Sequence, residues 1–319
     1  MPTTPTGTFG EQRALAPSGN VSLSPAARSL PGSVTFVKPE LLSVVMPVRN
    51  EAAHLAEQLA ALAAQDYEGS WELVIADNGS TDDTPERAQA WAGRLPLRVV
   101  DASARRGCGP AKNQGVAAAG GDALAFCDGD DVVAPGWLAA HADALEGADL
   151  VAGAIVFFGD ERGVEDSPVP TRAPTLLGWL PYAQGANASV WREAFERVGG
   201  FPEHNPYAED VEFSWLVQLA DLTFAYDPAA IVRKRTRSGT RAQLRQAYRY
   251  GKCDVDLYSR YRDRGATRPA PASLTRTYLG LVARLPGIAS PGTRGRWAAQ
   301  AGRRAGRIVA SARRRAFLP

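Results

Sequence analysis

Four short apolar runs, each divided from the next by a helix-patterned segment, limit what the first half of this chain can become. They fall at residues 41–46, 71–76, 97–100 and 123–126. Between the first two, Leu55, Leu59 and Leu62 recur at spacings of four and three, which places them on one helical face. Asp82, Asp83 or Thr84 is positioned to cap a second helix through Ala88 and Trp91. The turn Arg106-Gly107-Cys108-Gly109-Pro110 opens a third helix through Asn113 to Ala119. Strand and helix alternating over about 90 residues require a parallel, Rossmann-like sheet, because parallel neighbours need a crossover between them. The turn after the first run reads Pro47-Val48-Arg49-Asn50-Glu51 instead of G-x-G-x-x-G, which disfavours a nicotinamide or flavin enzyme. No P-loop pattern and no internal repeat occurs.

The remainder is less regular. Residues 150–158 read as a strand and 159–175 as a polar loop. Gly185-Ala186-Asn187-Ala188 precedes a helix over 192–198 that stops at Gly199-Gly200. Glu209-Asp210 opens a helix over 211–220, and 224–226 is a short strand. Beyond Thr240 the pattern is helical and basic. Residues 1–39 are rich in Pro, Ser, Thr and Gly and are expected to be disordered. The expected organisation is a domain over 40–240, with halves 40–131 and 132–240, followed by a helical basic extension over 241–319.

Charge is distributed unevenly. Residues 233–319 hold 22 Lys and Arg against 3 Asp and Glu, although the whole chain is only +2. Such a tail points to an anionic partner, lipid headgroups or nucleic acid. Seven arginines between Arg296 and Arg315 alternate with Trp297, Ile308, Val309, Phe317 and Leu318, a pattern that suits a helix lying on anionic lipid. No run approaches the roughly 18–20 apolar residues of a membrane span, and Met1-Pro2-Thr3-Thr4 does not begin a signal peptide. Cys108, Cys127 and Cys253 form no CxxC pair, so a zinc site or disulfide framework is not expected. The expected location is the cytoplasm, on the inner face of the membrane, with no specific nucleic acid bound.

The strongest chemical signal is Asp128-Gly129-Asp130-Asp131, which directly follows the fourth run. Three carboxylates within four residues repel one another unless a cation neutralises them, and aspartate oxygens suit Mg²⁺ or Mn²⁺. The carboxyl edge of an open α/β sheet is also where its ligand binds. Asp and Gly are equally turn formers, so the run alone also fits an acidic surface turn.

Taken in order, the motifs resemble the family-2 glycosyltransferases of bacterial type. Met46-Pro47-Val48-Arg49-Asn50-Glu51 and Ile75-Ala76-Asp77-Asn78-Gly79-Ser80-Thr81-Asp82 are similar to that family's nucleotide-binding start. Asp128-Gly129-Asp130 is similar to its D-x-D metal motif. Gly185-Ala186-Asn187, Gly199-Gly200-Phe201 and Glu209-Asp210 are similar to its acceptor-side signatures. The resemblance covers roughly residues 41–235 and implies a GT-A fold, in which helices flank a mostly parallel Rossmann-like central sheet. The implied activity is inverting sugar transfer from a nucleoside-diphosphate sugar to a glycan or lipid-linked acceptor, as in cell-envelope polysaccharide synthesis.

Residue by residue, Pro47, Arg49 and Glu51 are implied donor contacts, with Arg49 either stacked on the base or solvated. The resemblance points to Asp77 and Asn78 as nucleoside contacts, while Asn78-Gly79 also fits an Asx turn. Lys112, near a helix start, is expected at the diphosphate or ribose. Asp130 is the expected metal ligand, with Asp128 on ribose, metal or a metal-bound water. Asp210 is the candidate general base, with Glu209 orienting it or binding acceptor. Asn187 and His204 are expected on the acceptor side.

One departure stands out. Many family members place a histidine of the metal shell after the strand near Ile231-Val232, whereas this chain reads Arg233-Lys234-Arg235-Thr236-Arg237. The cations of 233–237, Arg233 and Arg235 first among them, are therefore expected at the diphosphate in place of a metal ligand. Two other readings stay open: a non-catalytic membrane or nucleic-acid binder on a degenerate fold, and a sugar nucleotidyltransferase.

Overall fold

The computed structural model describes residues 37–158, 166–235, 239–269, 271–283, 285, 291–314 and 316–318. Most of the expected N-terminal disordered segment, and Thr236 and Arg237, lie outside the described residues. The expected alternation appears as β1 (Leu42–Val48), α1 (Leu55–Ala63), β2 (Trp71–Asp77), α2 (Thr84–Gln89), β3 (Leu97–Asp101), α3 (Cys108–Ala118) and β4 (Ala123–Cys127). There follow β5 (Val132–Val133), α4 (Trp137–Leu145), β6 (Leu150–Phe158), β7 (Asn187–Trp191), α5 (Arg192–Arg197), α6 (Glu209–Leu219) and β8 (Phe224–Arg235). The chain then continues through α7 (Thr240–Tyr261), α8 (Pro271–Ala283) and α9 (Pro291–Arg314).

The eight strands make one mixed sheet in the order β3-β2-β1-β4-β7-β6-β8-β5. The pairs β3-β2, β2-β1, β1-β4 and β6-β8 are parallel, and β7 runs antiparallel to both β4 and β6. Because β7 opposes both neighbours, β4 and β6 point the same way, and so does β8. The carboxyl ends of β1, β2, β4 and β8 therefore share one edge of the sheet, where an open α/β sheet presents its ligand crevice.

The strands around β4 are apolar on both faces because helices cover them. Val44, Val45, Ile75, Leu124 and Phe126 are fully buried, and Leu55, Leu59 and Leu62 of α1 belong to the same core. Each such side chain stabilises the fold by about 1.5–3 kcal/mol relative to exposure. The short strand expected at 224–226 is instead the twelve-residue β8. Pro228 cannot donate to a ladder, and the pairing with β6 skips at Gly153/Ala154, so that Asp227 and Ile231 take consecutive partners. The irregularity absorbs the proline and the strand resumes.

The C-terminal helices pack on α6 and on the segment around Leu176. A second core joins Leu176, Val211 and Trp215 to Val255, Leu257 and Tyr258 of α7 and to Ala310 and Leu318. Between α7 and α9 the backbones approach closely. A Cβ on Gly251 would strike the Arg303 carbonyl, and one on Gly306 the Tyr248 carbonyl. Asp254, 2% exposed, accepts from Arg303 Nε and Nη2 (2.7 Å each) and from Arg307 Nε (2.8 Å), locking the pair.

Candidate active site

The acidic turn leaves β4 at the shared edge. Gln58, buried in α1, holds both ends of the turn: its Nε2 donates to the Asp128 carbonyl (3.1 Å) and its Oε1 accepts from Val133 N (2.9 Å). So fixed, the carboxylates of Asp128, Asp130 and Asp131 each place an oxygen within 4.8 Å of the others. β8 ends beside them. Lys234 Nζ donates to Asp128 Oδ2 and Asp131 Oδ2, both at 2.9 Å. Arg235 donates its backbone N–H to Asp131 Oδ1 (3.0 Å), its Nε–H to the Asp130 carbonyl (3.2 Å) and an Nη2–H to Glu57 Oε2 (2.7 Å). Burial pushes the Asp131 carboxyl up to about 7, against the pull of the Lys234 ammonium. Burial also opposes the charge on Lys234, but Asp128 and Asp131 outweigh it and hold that ammonium well above the ordinary lysine range. Arg233 turns outward to Asp166 (2.9 Å).

At the ends of β1 and β2, Pro47 is half-buried and Arg49 is exposed. Glu51 N donates to Thr84 Oγ1 (2.9 Å). Asp77 Oδ1 accepts from Ser80 N (3.1 Å) and Ser80 Oγ (2.5 Å), which holds the carboxylate at the strand end. Asn78 is buried and staples the next loop: Nδ2 donates to the carbonyls of Ala102 (2.5 Å) and Arg105 (2.8 Å), and Oδ1 accepts from Gly107 N (2.9 Å). Its side chain is thus committed to the loop that starts α3.

Lys112 is the fifth residue of α3, 1% exposed, with Nζ 3.9 Å from Glu209 Oε1 and 5.0 Å from the centre of the Phe201 ring. Burial disfavours its charge, yet Cys108, Glu209, Asp128 and Asp210 together raise its pKa above the usual lysine value. Gly185 makes this approach possible, because a side chain there would collide with Lys112 Nζ and crowd Asp210. Glu209 and Asp210 begin α6, where the helix dipole favours negative charge. Asp210 Oδ2 accepts from Gly185 N (3.0 Å) and Oδ1 from Val211 N (2.8 Å), so the carboxylate is rigidly aimed. Burial, then the Asp210 charge, push the Glu209 carboxyl up to about 7 despite Lys112.

Two expected acceptor residues sit among other partners. Asn187 is fully buried in β7, accepting from Trp137 Nε1 (2.8 Å) and donating to the carbonyls of Ala154 and Ala230 (2.8 Å each). His204 Nε2 is 2.9 Å from Glu212 Oε2 and beside Arg260. Buried Glu212 also accepts from Arg260 Nη1 (3.0 Å) and Tyr261 Oη (2.9 Å), a network joining α6 to α7.

The carboxylate cluster at the sheet edge and the carboxylate pair that begins α6 thus both act on the buried ammonium of Lys112. A sequence model of Glycosyl transferase family 2 matches residues 43–199. The glycosyltransferase AglE of Haloferax volcanii is 29% identical over 229 residues, 68% of this chain and 74% of AglE. Over residues 43–199 the chain belongs to the family-2 glycosyltransferases. It spans under half the length of other curated glycosyltransferases it matches. In fold, this transferase is similar to the mannosyltransferase PcManGT of Pyrobaculum calidifontis, solved in complex with GDP-Man and Mn²⁺, with a TM-score of 0.58 and 20% identity over 86% of this chain and 88% of that one. It is also similar to S. aureus TarS 1-349 in complex with UDP-GlcNAc, with a TM-score of 0.51 and 19% identity over 69% and 72% of the two chains. The fold is GT-A.

The three aspartate carboxylates, each with an oxygen within 4.8 Å of the others, are hard donors of the kind that suits a hard cation. Lys234 already engages two of them. Among the cations of 233–237, the sequence singles out Arg233 and Arg235 and does not reveal that Lys234 is the one paired with the aspartates. Strand alternation was the available signal. The guanidinium groups of Arg233 and Arg235 both lie 4.8 Å from the Phe158 ring, on one face of β8, while Lys234 projects from the other toward the acids. Gln58 was missed as well, because a buried glutamine on an apolar helix face reveals its partners only once β4 lies beside it.

Proposed function

We propose that this transferase moves a sugar from a nucleoside-diphosphate sugar to a hydroxyl of a glycan or lipid-linked acceptor, inverting the anomeric carbon. The observation that carries this is Lys112, a fully buried ammonium 3.9 Å from Glu209, with Gly185 closing on both Lys112 and Asp210; the charges of Glu209, Asp128 and Asp210 all favour its protonated form. Donor diphosphate and acceptor hydroxyl would then meet between the two carboxylate groups. Asp77 receives the nucleoside, and Arg49 flanks the base at the rim. Asp128 and Asp130 are the residues that would hold Mn²⁺ or Mg²⁺, with Asp131 behind them. When bound, such a cation supplies Lewis-acid charge against the departing diphosphate. Lys234 and Arg235 bring further positive charge to the same place. Asp210 takes the acceptor O–H proton as that oxygen bonds the anomeric carbon. The electron pair of the broken C–O bond leaves on the diphosphate.

That PcManGT is solved with GDP-Man and Mn²⁺ and TarS with UDP-GlcNAc supports a nucleotide-sugar donor and leaves the base to experiment. The test is a hydrolysis screen over UDP-, GDP- and dTDP-sugars with and without Mn²⁺ or Mg²⁺. Metal-stimulated release of one nucleotide is expected. If no donor is hydrolysed or bound, the non-catalytic reading replaces this one.

The same reading sets the enzyme against an anionic membrane surface through its basic C-terminal helices. No helix among the described residues is long and apolar enough to cross a membrane, and α8 exposes Leu279 and Val282.

A further inference from the structure

One arginine of α9 has no acceptor for its buried N–H among the described residues. Arg304 follows Trp297 by seven residues and precedes Ile308 by four, so the three share one stripe of the helix. Trp297 aims that stripe at α8, where its Nε1–H donates to the Leu281 carbonyl (3.0 Å). The Arg304 side chain is half-buried in the seam between the two helices, and its Nε is shut off from water with no partner among the described residues. The carboxylate nearest along the helix is already taken, because Arg303 and Arg307 both donate Nε–H to Asp254, at 2.7 and 2.8 Å. Burial, and then the Arg307 charge, pull the Arg304 guanidinium below the ordinary arginine range, while Tyr278 of α8 acts in its favour.

The rim of the seam is apolar. Leu279 follows Tyr278, Val282 follows Leu281, and these two are the most exposed large apolar side chains among the described residues. Arg276, also exposed, lies three residues before Leu279 on the same face of α8. A buried N–H without an acceptor is costly, and the planar fork of a guanidinium matches two oxygens of a phosphate. Nucleic acid or an acidic peptide would answer the arginines and leave Leu279 and Val282 in water. A phosphate that carries hydrocarbon chains answers both.

We propose that the seam between α8 and α9 binds the phosphodiester headgroup of an anionic phospholipid, with the Arg304 guanidinium on the phosphate and the acyl chains along Leu279 and Val282. The inference rests on the reading that the C-terminal helices meet an anionic membrane, and it adds a defined lipid site to that attraction. Asp254 locks α9 to α7, and α7 shares a core with Val211 and Trp215 of α6. A lipid held at Arg304 therefore anchors the helix that begins with Asp210 and not a loose tail.

The experiment titrates the full chain by calorimetry with monomeric dihexanoyl phosphatidylglycerol. Dihexanoyl phosphatidylcholine, inorganic phosphate and a single-stranded DNA oligonucleotide are the comparisons. In parallel, the protein is floated with vesicles of phosphatidylcholine with and without phosphatidylglycerol. Saturable binding of the anionic short-chain lipid is expected, tighter than that of all three comparisons. Arg304→Gln should weaken it about tenfold, a loss of about 1.4 kcal/mol. Arg304→Lys keeps a charge without the Nε–H or the fork and should not restore it. Arg294→Gln combined with Arg296→Gln should lower vesicle flotation and leave short-chain lipid binding unchanged. Without lipid, Arg304→Gln should melt no lower than wild type, since it removes a cation that burial and the Arg307 and Arg303 charges oppose. The site is refuted if lysine restores full affinity, or if phosphate or the oligonucleotide binds as tightly as the lipid. If Arg304→Gln binds both the short-chain lipid and anionic vesicles as wild type does, the membrane reading stands and the site falls. If wild type floats with no anionic vesicle, the membrane reading falls and the site with it.

Discussion

Lys234 holds Asp128 and Asp131 with a single ammonium, its Nζ 2.9 Å from an oxygen of each. Where many family members place a histidine of the metal shell, this chain has a built-in cation. It answers the repulsion that three adjacent aspartates create, and it competes with a metal for the same oxygens. Removing one partner of such a group leaves buried charge unpaired, which costs about 3–5 kcal/mol in a fully buried pair. Lys234 is 28% exposed along its side chain, so about 1–3 kcal/mol is expected for Lys234→Met after discounting for solvent. Mn²⁺ should restore more thermal stability to this variant than to wild type, and should bind it more tightly when followed by the loss of the free Mn²⁺ resonance. Equal Mn²⁺ affinity in both would show that the ammonium and the metal do not compete. Asp130→Ala should weaken Mn²⁺ binding in either background.

Glu209 gives a pH-dependent signature. Its carboxyl is raised from 4.5 to about 7 by burial and by the charge of Asp210. A group raised on folding contributes stability that is fully present below its unfolded value and lost as pH climbs through the folded one. The window here is therefore about pH 4.5 to 7. Glu209→Gln imitates the protonated acid and removes that loss. The melting temperature of the variant relative to wild type should rise by a few degrees between pH 5 and 8. A difference that is flat with pH would mean that Glu209 is ionised throughout.

Much of this was legible in the sequence, for a physical reason. β1, β2 and β4 are continuous apolar runs because they are buried on both faces, and the carboxylates stand out because their chemistry is costly to place anywhere else. What escaped depends on pairing between distant segments. β7 is fully buried yet contains Asn187 and Ser189, whose polarity hid the strand. His141, whose ring nitrogens lie 2.8 Å from Ser189 Oγ and 2.9 Å from Asn187 Oδ1, satisfies them inside the core. The role of Lys234 follows from β8 running parallel to β6 past the break at Pro228, a register that local composition does not encode. The resemblance points to Asn78 as a nucleoside contact with a turn as the lesser alternative, and only the folded loop shows its amide bound to Ala102, Arg105 and Gly107.

Asp210→Asn keeps the shape of the side chain and removes its capacity to accept a proton. Turnover should fall by about 10²–10⁴-fold. Nucleotide binding, measured by calorimetry with the product nucleotide and Mn²⁺, should stay within about twofold, since a uniform change in binding would appear in KM rather than in kcat. Because both Asp210 oxygens accept backbone N–H groups, the amide must leave one N–H facing a donor, and a small loss of stability is also expected. A parallel loss of nucleotide affinity would move Asp210 to the donor side.

Membrane attachment needs a different experiment from simple truncation of the tail. Arg303 and Arg307 are bound to Asp254, Leu318 is fully buried, and Trp297 donates its Nε1–H to the Leu281 carbonyl (3.0 Å), so several residues the sequence offers to lipid are spent inside the fold. Cutting the chain after residue 290 would remove the partners of Asp254 and uncover the glycine face of α7, and should unfold the C-terminal core. The available lipid-facing groups are Leu279 and Val282 on α8, 64% and 63% exposed, with Ile308 and Phe317 at 52% and 62%. Arg294 and Arg296 at the start of α9 are exposed cations, each contributing up to about 1 kcal/mol near an anionic surface. Leu279→Asp combined with Val282→Asp should lower binding to vesicles of anionic lipid about tenfold or more while leaving the melting temperature near that of wild type. Vesicles of neutral lipid, or high salt, should weaken wild-type binding in the same assay, because both remove the electrostatic part of the attraction. Undiminished binding of the double variant to anionic vesicles would reject α8 as the docking face.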